Sequence, residues 1–230
     1  DIRAGPNRRL GDRTAWPSSK RQSDSDRIAE IAQLRLVILE DCRELAPAGV
    51  EFVETIQAAL PRDTVLVNDL AVGAYWCRRL LEQYEPRSNV YPWGFCTLGF
   101  GVPAAIGAKI ARPEKPVVVL SGDGGFMFNV QELSTAVRHK INAVAVVFND
   151  NAFGNVMRDQ VNMYEGREYG ARVHNPDFMK LAEAFGVRGV RIRDGSPDKL
   201  EKELSDSFQV DSPTLIEVPV GEMPNPFRDY

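Results

Sequence analysis

The sequence predicts an α/β fold, a doubly wound and mostly parallel sheet with helices on both faces. Two observations carry this. Short apolar runs alternate with helix-like segments along most of the chain, and the runs PVVVLS and AVAVVF are apolar throughout rather than alternating. A strand with one solvated face repeats with period two, whereas one covered by helices on both sides is apolar on both.

Taken in order, the polar stretch up to Asp26, ending in SSKRQSDSD, has the composition of a linker. Residues 1–46 are expected to be an interdomain linker with the tail of a preceding segment, and 47–230 the folded domain. A helix is predicted from Ser25 to about Leu39, with Ile28, Ile31, Ala32, Leu34 and Leu36 only loosely periodic. Pro47 opens a second helix, whose stripe Val50, Val53, Ile56 and Leu60 is stopped by Pro61. TVLVND then reads as a strand. The order repeats as helix 71–83, strand SNVY, helix 99–111, strand PVVVLSGDG, helix 129–138 and strand INAVAVVFNDN. After Pro176 come a helix to Phe185, the strand VRGVRI, a helix from Pro197 to about Phe208, and the closing strand TLIEVPV. There is no repeat of fixed period.

Composition narrows the function classes. A chain of 230 residues, 43% hydrophobic and 26% charged, can bury one substantial core. The net charge of -4, spread over 28 basic and 32 acidic residues without a block, argues against a nucleic acid or an anionic membrane as partner. Cys42, Cys77 and Cys96 are odd in number and far apart. That fits neither a disulfide framework nor a CxxC cluster, and predicts a reducing, cytoplasmic setting. No run reaches the ~20 apolar residues that span a bilayer, and the first residues lack a signal-peptide core. A start on Asp1, without Met and in a polar stretch, predicts an internal piece of a longer polypeptide.

Open parallel sheets bind ligands at the carboxyl ends of their strands. After PVVVLS comes Gly122-Asp123-Gly124-Gly125, and after INAVAVVF comes Asn149-Asp150-Asn151-Ala152-Phe153-Gly154. Each puts a carboxylate immediately beyond an apolar strand. Two such carboxylates on neighbouring strands repel unless a cation lies between them. Hard oxygen ligands suit Mg²⁺ or Ca²⁺, and Mg²⁺ completes its octahedron with phosphate oxygens and water. A diphosphate is the natural third party, with amides of Gly124 and Gly125 offering positive dipole ends. Either loop alone reads as a tight turn between strand and helix; the pair together points to a site.

GDG at 122–124, 24 further residues, then Asn149-Asp150 resembles the fingerprint of thiamine-diphosphate-dependent enzymes. The intervening FMFNVQELSTAVRHKINAVAVVF, the upstream TLGFGVPAAIGAKIA (97–111), and the downstream NPDFMKLAEAFG (175–186) and PTLIEVPV (213–220) resemble that family too. The likeness covers about residues 47–220 and is closest to the acetolactate-synthase-like branch. It implies that residues 47–230 form the thiamine-diphosphate-binding (diphosphate/metal) domain. By resemblance, Asp123 and Asp150 would be side-chain ligands of Mg²⁺, with the Ala152 carbonyl as a third. Asp150 departs from the Asn usual there, and still presents an oxygen. Gly122, Gly124, Gly125, Asn151, Phe153 and Gly154 would line the diphosphate, with Leu70, Ala71, Val72 and Gly73 meeting it from the earlier loop. Acetolactate synthases have a Gln-His pair at Val72-Gly73, so only backbone contacts carry over. Leu98 would support the bent cofactor from below, and the Cys96 carbonyl would accept from its aminopyrimidine.

The resemblance implies the cofactors thiamine diphosphate and Mg²⁺, and a 2-oxo acid substrate that is decarboxylated, ligated or oxidised in the whole enzyme. It also implies a partner, the pyrimidine-binding domain of the same or another subunit, which supplies the activating glutamate. The chain is therefore expected to hold no catalytic residue of its own, to be inert alone, and to belong to a homo-oligomer. A separate subunit of a heteromeric decarboxylase or oxidoreductase, and a non-catalytic regulatory module, are the alternatives. A nucleotide-binding module would need a GxGxxG turn or a Walker lysine, and neither loop has one. Acetolactate synthases usually carry a substrate-lining Trp at the position of Asp159. Residues 157–174 are expected to form or border a substrate lid. His139, at a helix end, and His174 are expected to be surface residues.

Overall fold

The structure, a computed structural model, describes residues 23–193 and 196–226. Of the linker and preceding tail expected over residues 1–46, residues 1–22 lie outside them. The chain divides into two compact units, residues 1–38 and 39–230. The described part of the first is the beginning of helix α1 (Asp24–Leu45). In the second, α1 runs past the predicted end at Leu39, because Cys42 turns into the core beside Ala46.

Pro47 takes the first turn of α2 (Pro47–Ala59), where its missing N–H costs nothing. There follow β1 (Val65–Asn68), α3 (Val72–Leu80), β2 (Asn89–Val90), α4 (Gly101–Ala111) and β3 (Val117–Gly122). Next come α5 (Asp123–Phe128), a 3₁₀ turn at Val130–Glu132, α6 (Leu133–Arg138), β4 (Val144–Asn149) and α7 (Gly154–Met163). The chain closes with α8 (Phe178–Phe185), β5 (Arg188–Arg191), α9 (Pro197–Ser207) and β6 (Thr214–Pro219). Helix α8 is well marked at both ends: the Asp177 carboxylate accepts from Met179 N–H at 3.0 Å, and Gly186 takes the left-handed conformation at φ 73°.

The six strands form one sheet in the order β2-β1-β3-β4-β6-β5, and every pairing is parallel. The central strands supply two cores. Leu66, Val118, Leu120, Val144, Val146, Phe148, Ile216 and Val218 face α2, α3 and α9. Their alternates Val65, Val67, Val117, Val119, Ala145, Val147 and Leu215 face α4, α6 and α8. Both faces are thus apolar, as the unbroken runs of β3 and β4 predict.

Two elements differ from the sequence reading. The helix expected at 129–138 has a forerunner, α5, which begins at Asp123 inside the glycine loop. Gly124 and Gly125 hide it from a propensity reading, and Phe126 anchors it against Phe178 with ring centroids 5.9 Å apart. Helix α7 occupies the first part of the segment expected as a lid. It buries only Arg158 and leaves Val156, Val161 and Met163 exposed. Among the described residues no helix is long and apolar enough to cross a membrane.

The chain winds from β1 to β2 toward one edge and from β3 to β4 toward the other. Loops leaving β1 and β3 therefore diverge, opening a crevice at their carboxyl ends.

Candidate functional site

A cavity of about 200 Å³ lies in that crevice. Leu70, Ala71, Val72 and Gly73 enter it from the loop after β1, Gly122, Asp123, Gly124 and Gly125 from the loop after β3, and Asp150, Ala152, Phe153 and Gly154 from the loop after β4. Leu98, just ahead of α4, is half-buried on the same wall. Of the residues singled out in the sequence, Cys96 and Asn151 lie outside the lining. Cys96 is exposed at φ 53°, in a loop that also exposes Trp93 and Phe95. Asn151 stands at the tip of its turn at φ 56°, its N–H donating to Asn149 Oδ1 at 3.2 Å. His139 and His174 are both exposed, and Asp159 is exposed on α7.

The glycines are there for space. A Cβ on Gly124 would sit 2.5 Å from the Phe153 ring, and one on Gly154 would sit 2.4 Å from Asp150 Oδ2. Backbone alone fits at these two positions. The loop after β4 is braced from outside, with Phe153 N–H donating to the Ala171 carbonyl (2.7 Å) and Val173 N–H to that of Asn151 (2.9 Å). Beyond β6, Val220 and Met223 supply another wall. That tail is held by Trp76 Nε1 donating to the Pro224 carbonyl (2.8 Å), Arg79 Nη1 to Pro226 (2.6 Å) and Arg158 Nη2 to Met223 (3.0 Å).

The electrostatics centre on two carboxylates. Asp123 is almost fully buried; Oδ1 accepts from Gly124 N–H at 2.8 Å and Oδ2 from the Asn175 side-chain amide at 2.5 Å. Burial raises its pKa, partly offset by the Asn175 bond. Asp150, its neighbour across the strand ends, is pushed up to about 6 by burial and then by the charge of Asp123. Among the described residues no cluster of three or more His, Cys, Asp or Glu is placed to hold a metal ion, so a cation here would rely on two carboxylates and neutral oxygens.

Two residues at the site escaped the sequence reading. Asn175 links Asp123 to Asn149 Oδ1 (3.0 Å), and nothing local to NPDF signals it. Asp69 had a signal. Like Asp123 and Asp150 it directly follows an apolar strand, yet it points away from the cavity. Fully buried, its Oδ1 accepts from Leu70 N–H (2.7 Å) and its Oδ2 from Gly101 N–H (3.0 Å) at the start of α4. It thereby joins the two loops that carry Leu70–Gly73 and Leu98. Burial raises the Asp69 pKa, so the folded state favours its protonated form. Its contribution to stability is therefore full below the ordinary carboxylate pKa and is lost as pH rises through the raised value. Asp69→Asn should remove that component: the stability of the parent relative to the variant, read from denaturant melts at stepped pH, should fall from acid towards neutral.

A doubly wound sheet with a glycine-floored cavity at its switch point defines a ligand-binding α/β domain of the cofactor-binding class. Residues 71–218 match the model of the thiamine pyrophosphate enzyme family's C-terminal TPP binding domain, and the chain belongs to that family. It is 34% identical over 202 residues to a probable acetolactate synthase large subunit of Methanocaldococcus jannaschii, covering 84% of this chain and 33% of that protein. With an acetolactate synthase of Bacillus subtilis it shares 33% identity over 224 residues, covering 91% and 39%. Among solved structures, a thiamine diphosphate-dependent 4-hydroxybenzoylformate decarboxylase of Rhodococcus jostii RHA1 superposes with a TM-score of 0.69 at 29% identity, covering 77% of this chain and 33% of that one. The chain thus spans about a third of the length of these relatives. Its cofactor is that of the family, thiamine diphosphate.

Proposed function

We propose that this chain is the diphosphate- and Mg²⁺-binding half of a thiamine-diphosphate-dependent enzyme that acts on 2-oxo acids, decarboxylating or ligating them in the manner of acetolactate synthase. The observation that carries this is the convergence of Asp123 and Asp150 beside Gly124 and Gly154 at the switch point.

The residues present fit the group. Burial raises both carboxylates and the charge of Asp123 raises Asp150 further, a strain that a divalent cation would relieve. The glycine floor excludes a Cβ where phosphate oxygens must approach. Asp123, Asp150 and the Ala152 carbonyl would hold Mg²⁺; backbone of Gly124, Gly125, Asn151, Phe153 and Gly154, and of Leu70 to Gly73, would meet the diphosphate. Leu98 would set the cofactor's bend and the Cys96 carbonyl would orient its amine. Bound thiamine diphosphate supplies the electron sink that makes carbon–carbon cleavage beside a carbonyl possible. The protein's part is to bind, orient and keep water out.

The activating glutamate is assigned to a pyrimidine-binding domain of the same or a partner subunit. The exposed rim of Trp93 and Phe95, with Arg78 stacked over Tyr91 and Trp93 at 4.7 Å to each ring, supports burial of this edge in a homo-oligomer. Cys42, Cys77 and Cys96, all unpaired, support a cytoplasmic setting. The test is calorimetric titration of the full-length protein with thiamine diphosphate, with and without Mg²⁺, followed by turnover of a panel of 2-oxo acids. Binding that requires Mg²⁺, and release of CO₂ from at least one acid, are expected. Cofactor binding indifferent to Mg²⁺, or no CO₂ from any acid, would overturn the reading.

A further inference from the structure

The register of the sheet puts a buried carboxylate behind the metal loop. Glu217 on β6 pairs with Val147 on β4 and with Arg191 on β5, so Arg191, Glu217 and Asn149 share one face at the carboxyl edge. Glu217 is 3% exposed. Its Oε2 accepts from Arg191 Nε at 2.5 Å and its Oε1 from Asn149 Nδ2 at 2.8 Å. Asn149 Oδ1 then accepts from Asn175 Nδ2 at 3.0 Å and from Asn151 N–H at 3.2 Å, and Asn175 Nδ2 donates to Asp123 Oδ2. Arg191 is anchored in turn by Asp177, the cap of α8, at 2.8 Å.

We propose that Glu217 and Asn175 are positioning residues for the metal loops, forming a relay Arg191–Glu217–Asn149–Asn175–Asp123 that fixes which way the Asn149 amide faces. The proposal rests on the assignment of Asp123 and Asp150 to Mg²⁺. Its logic is one of donors and acceptors. An ionised carboxylate can only accept, so Glu217 compels Asn149 to turn its NH₂ inward and its oxygen toward the loop. That oxygen holds the Asn151 amide and orients the Asn175 side chain, which in turn sets the Asp123 carboxylate. In Glu217→Gln the glutamine oxygen goes to Arg191, whose guanidinium can only donate. The glutamine NH₂ then faces Asn149, whose amide flips and withdraws its oxygen from both partners. The shape of the core is kept; the orientation of the loop is not.

The experiment titrates Mg²⁺ into the full-length protein saturated with thiamine diphosphate, by calorimetry, beside the melting temperature without metal. Residues that orient metal ligands typically contribute about 10- to 100-fold in metal affinity. Glu217→Gln is expected to weaken Mg²⁺ binding by that factor while the metal-free melting temperature stays close to the parent's. Asn175→Ala, at a half-buried loop position, is expected to do the same and carries the test if Glu217→Gln does not fold. In the double variant the loss should be no larger than the greater single loss, since either change breaks the relay. Parent-like Mg²⁺ affinity in both single variants, with Asp123→Ala having lost binding, overturns the relay alone, as do losses that multiply in the double variant. Parent-like affinity in Asp123→Ala overturns the metal assignment and the relay with it.

Discussion

Asp123→Ala should abolish the Mg²⁺ dependence of thiamine diphosphate binding while leaving the metal-free fold at least as stable as the parent. A residue that merely orients a metal ligand contributes about 10- to 100-fold, so removal of a ligand should cost at least about a hundredfold in metal affinity. The stability half of the expectation comes from burial. Asp123 is 1% exposed and burial raises its pKa, so its charged form is held against desolvation. Alanine removes that opposition and gives up the bonds from Gly124 and Asn175. Calorimetry for binding and thermal melts for the fold separate the two effects. A variant that unfolds, or one that still needs Mg²⁺ to bind cofactor, would contradict the assignment.

The largest loss of stability should come from Trp76→Ala, at about 3–5 kcal/mol. Trp76 is fully buried on α3, in the core shared with α2 and α9, and packs so closely on α2 that a Cβ on Gly49 would lie 3.2 Å from its ring. Alanine would leave a cavity and leave the Pro224 carbonyl without the indole N–H. Because that bond also holds the tail that lines the cofactor cavity, binding should weaken together with stability. Urea melts give the first quantity and calorimetry the second. A loss below about 1 kcal/mol would show that the neighbourhood can collapse onto the gap.

Much of this could be read from the chain before any coordinates. Val117–Leu120 and Val144–Phe148 announce a sheet covered on both sides, because doubly buried strands must be apolar at every step. Asp123 and Asp150 announce a site, because two acids just beyond two such strands stand at the carboxyl edge where open parallel sheets bind ligands. What sequence reasoning missed depends on partners far away in the chain. Asp69 finds Gly101 32 residues on, Asn175 finds Asp123 across 52, and Asn149 finds Glu217 across 68. Those meetings are set by strand order and register, which no local pattern encodes. Helix α7 was missed for a different reason: its ten residues open on Gly154, and the glycines that punctuate the polar stretch after it read as loop.

The tail beyond β6 is tied down by Trp76, Arg79 and Arg158, and all three bonds end on carbonyl oxygens. Every amino acid carries that oxygen. Those three bonds are thus written in the body of the domain, while the tail's own side chains add Asn225 Nδ2 donating to Asn155 Oδ1 at 3.4 Å. A substitution at Met223 therefore changes the character of one wall of the cavity while those three bonds keep the wall where it is. A specificity that changes by substitution along a fixed track, without any loop being rebuilt, is what such an arrangement permits.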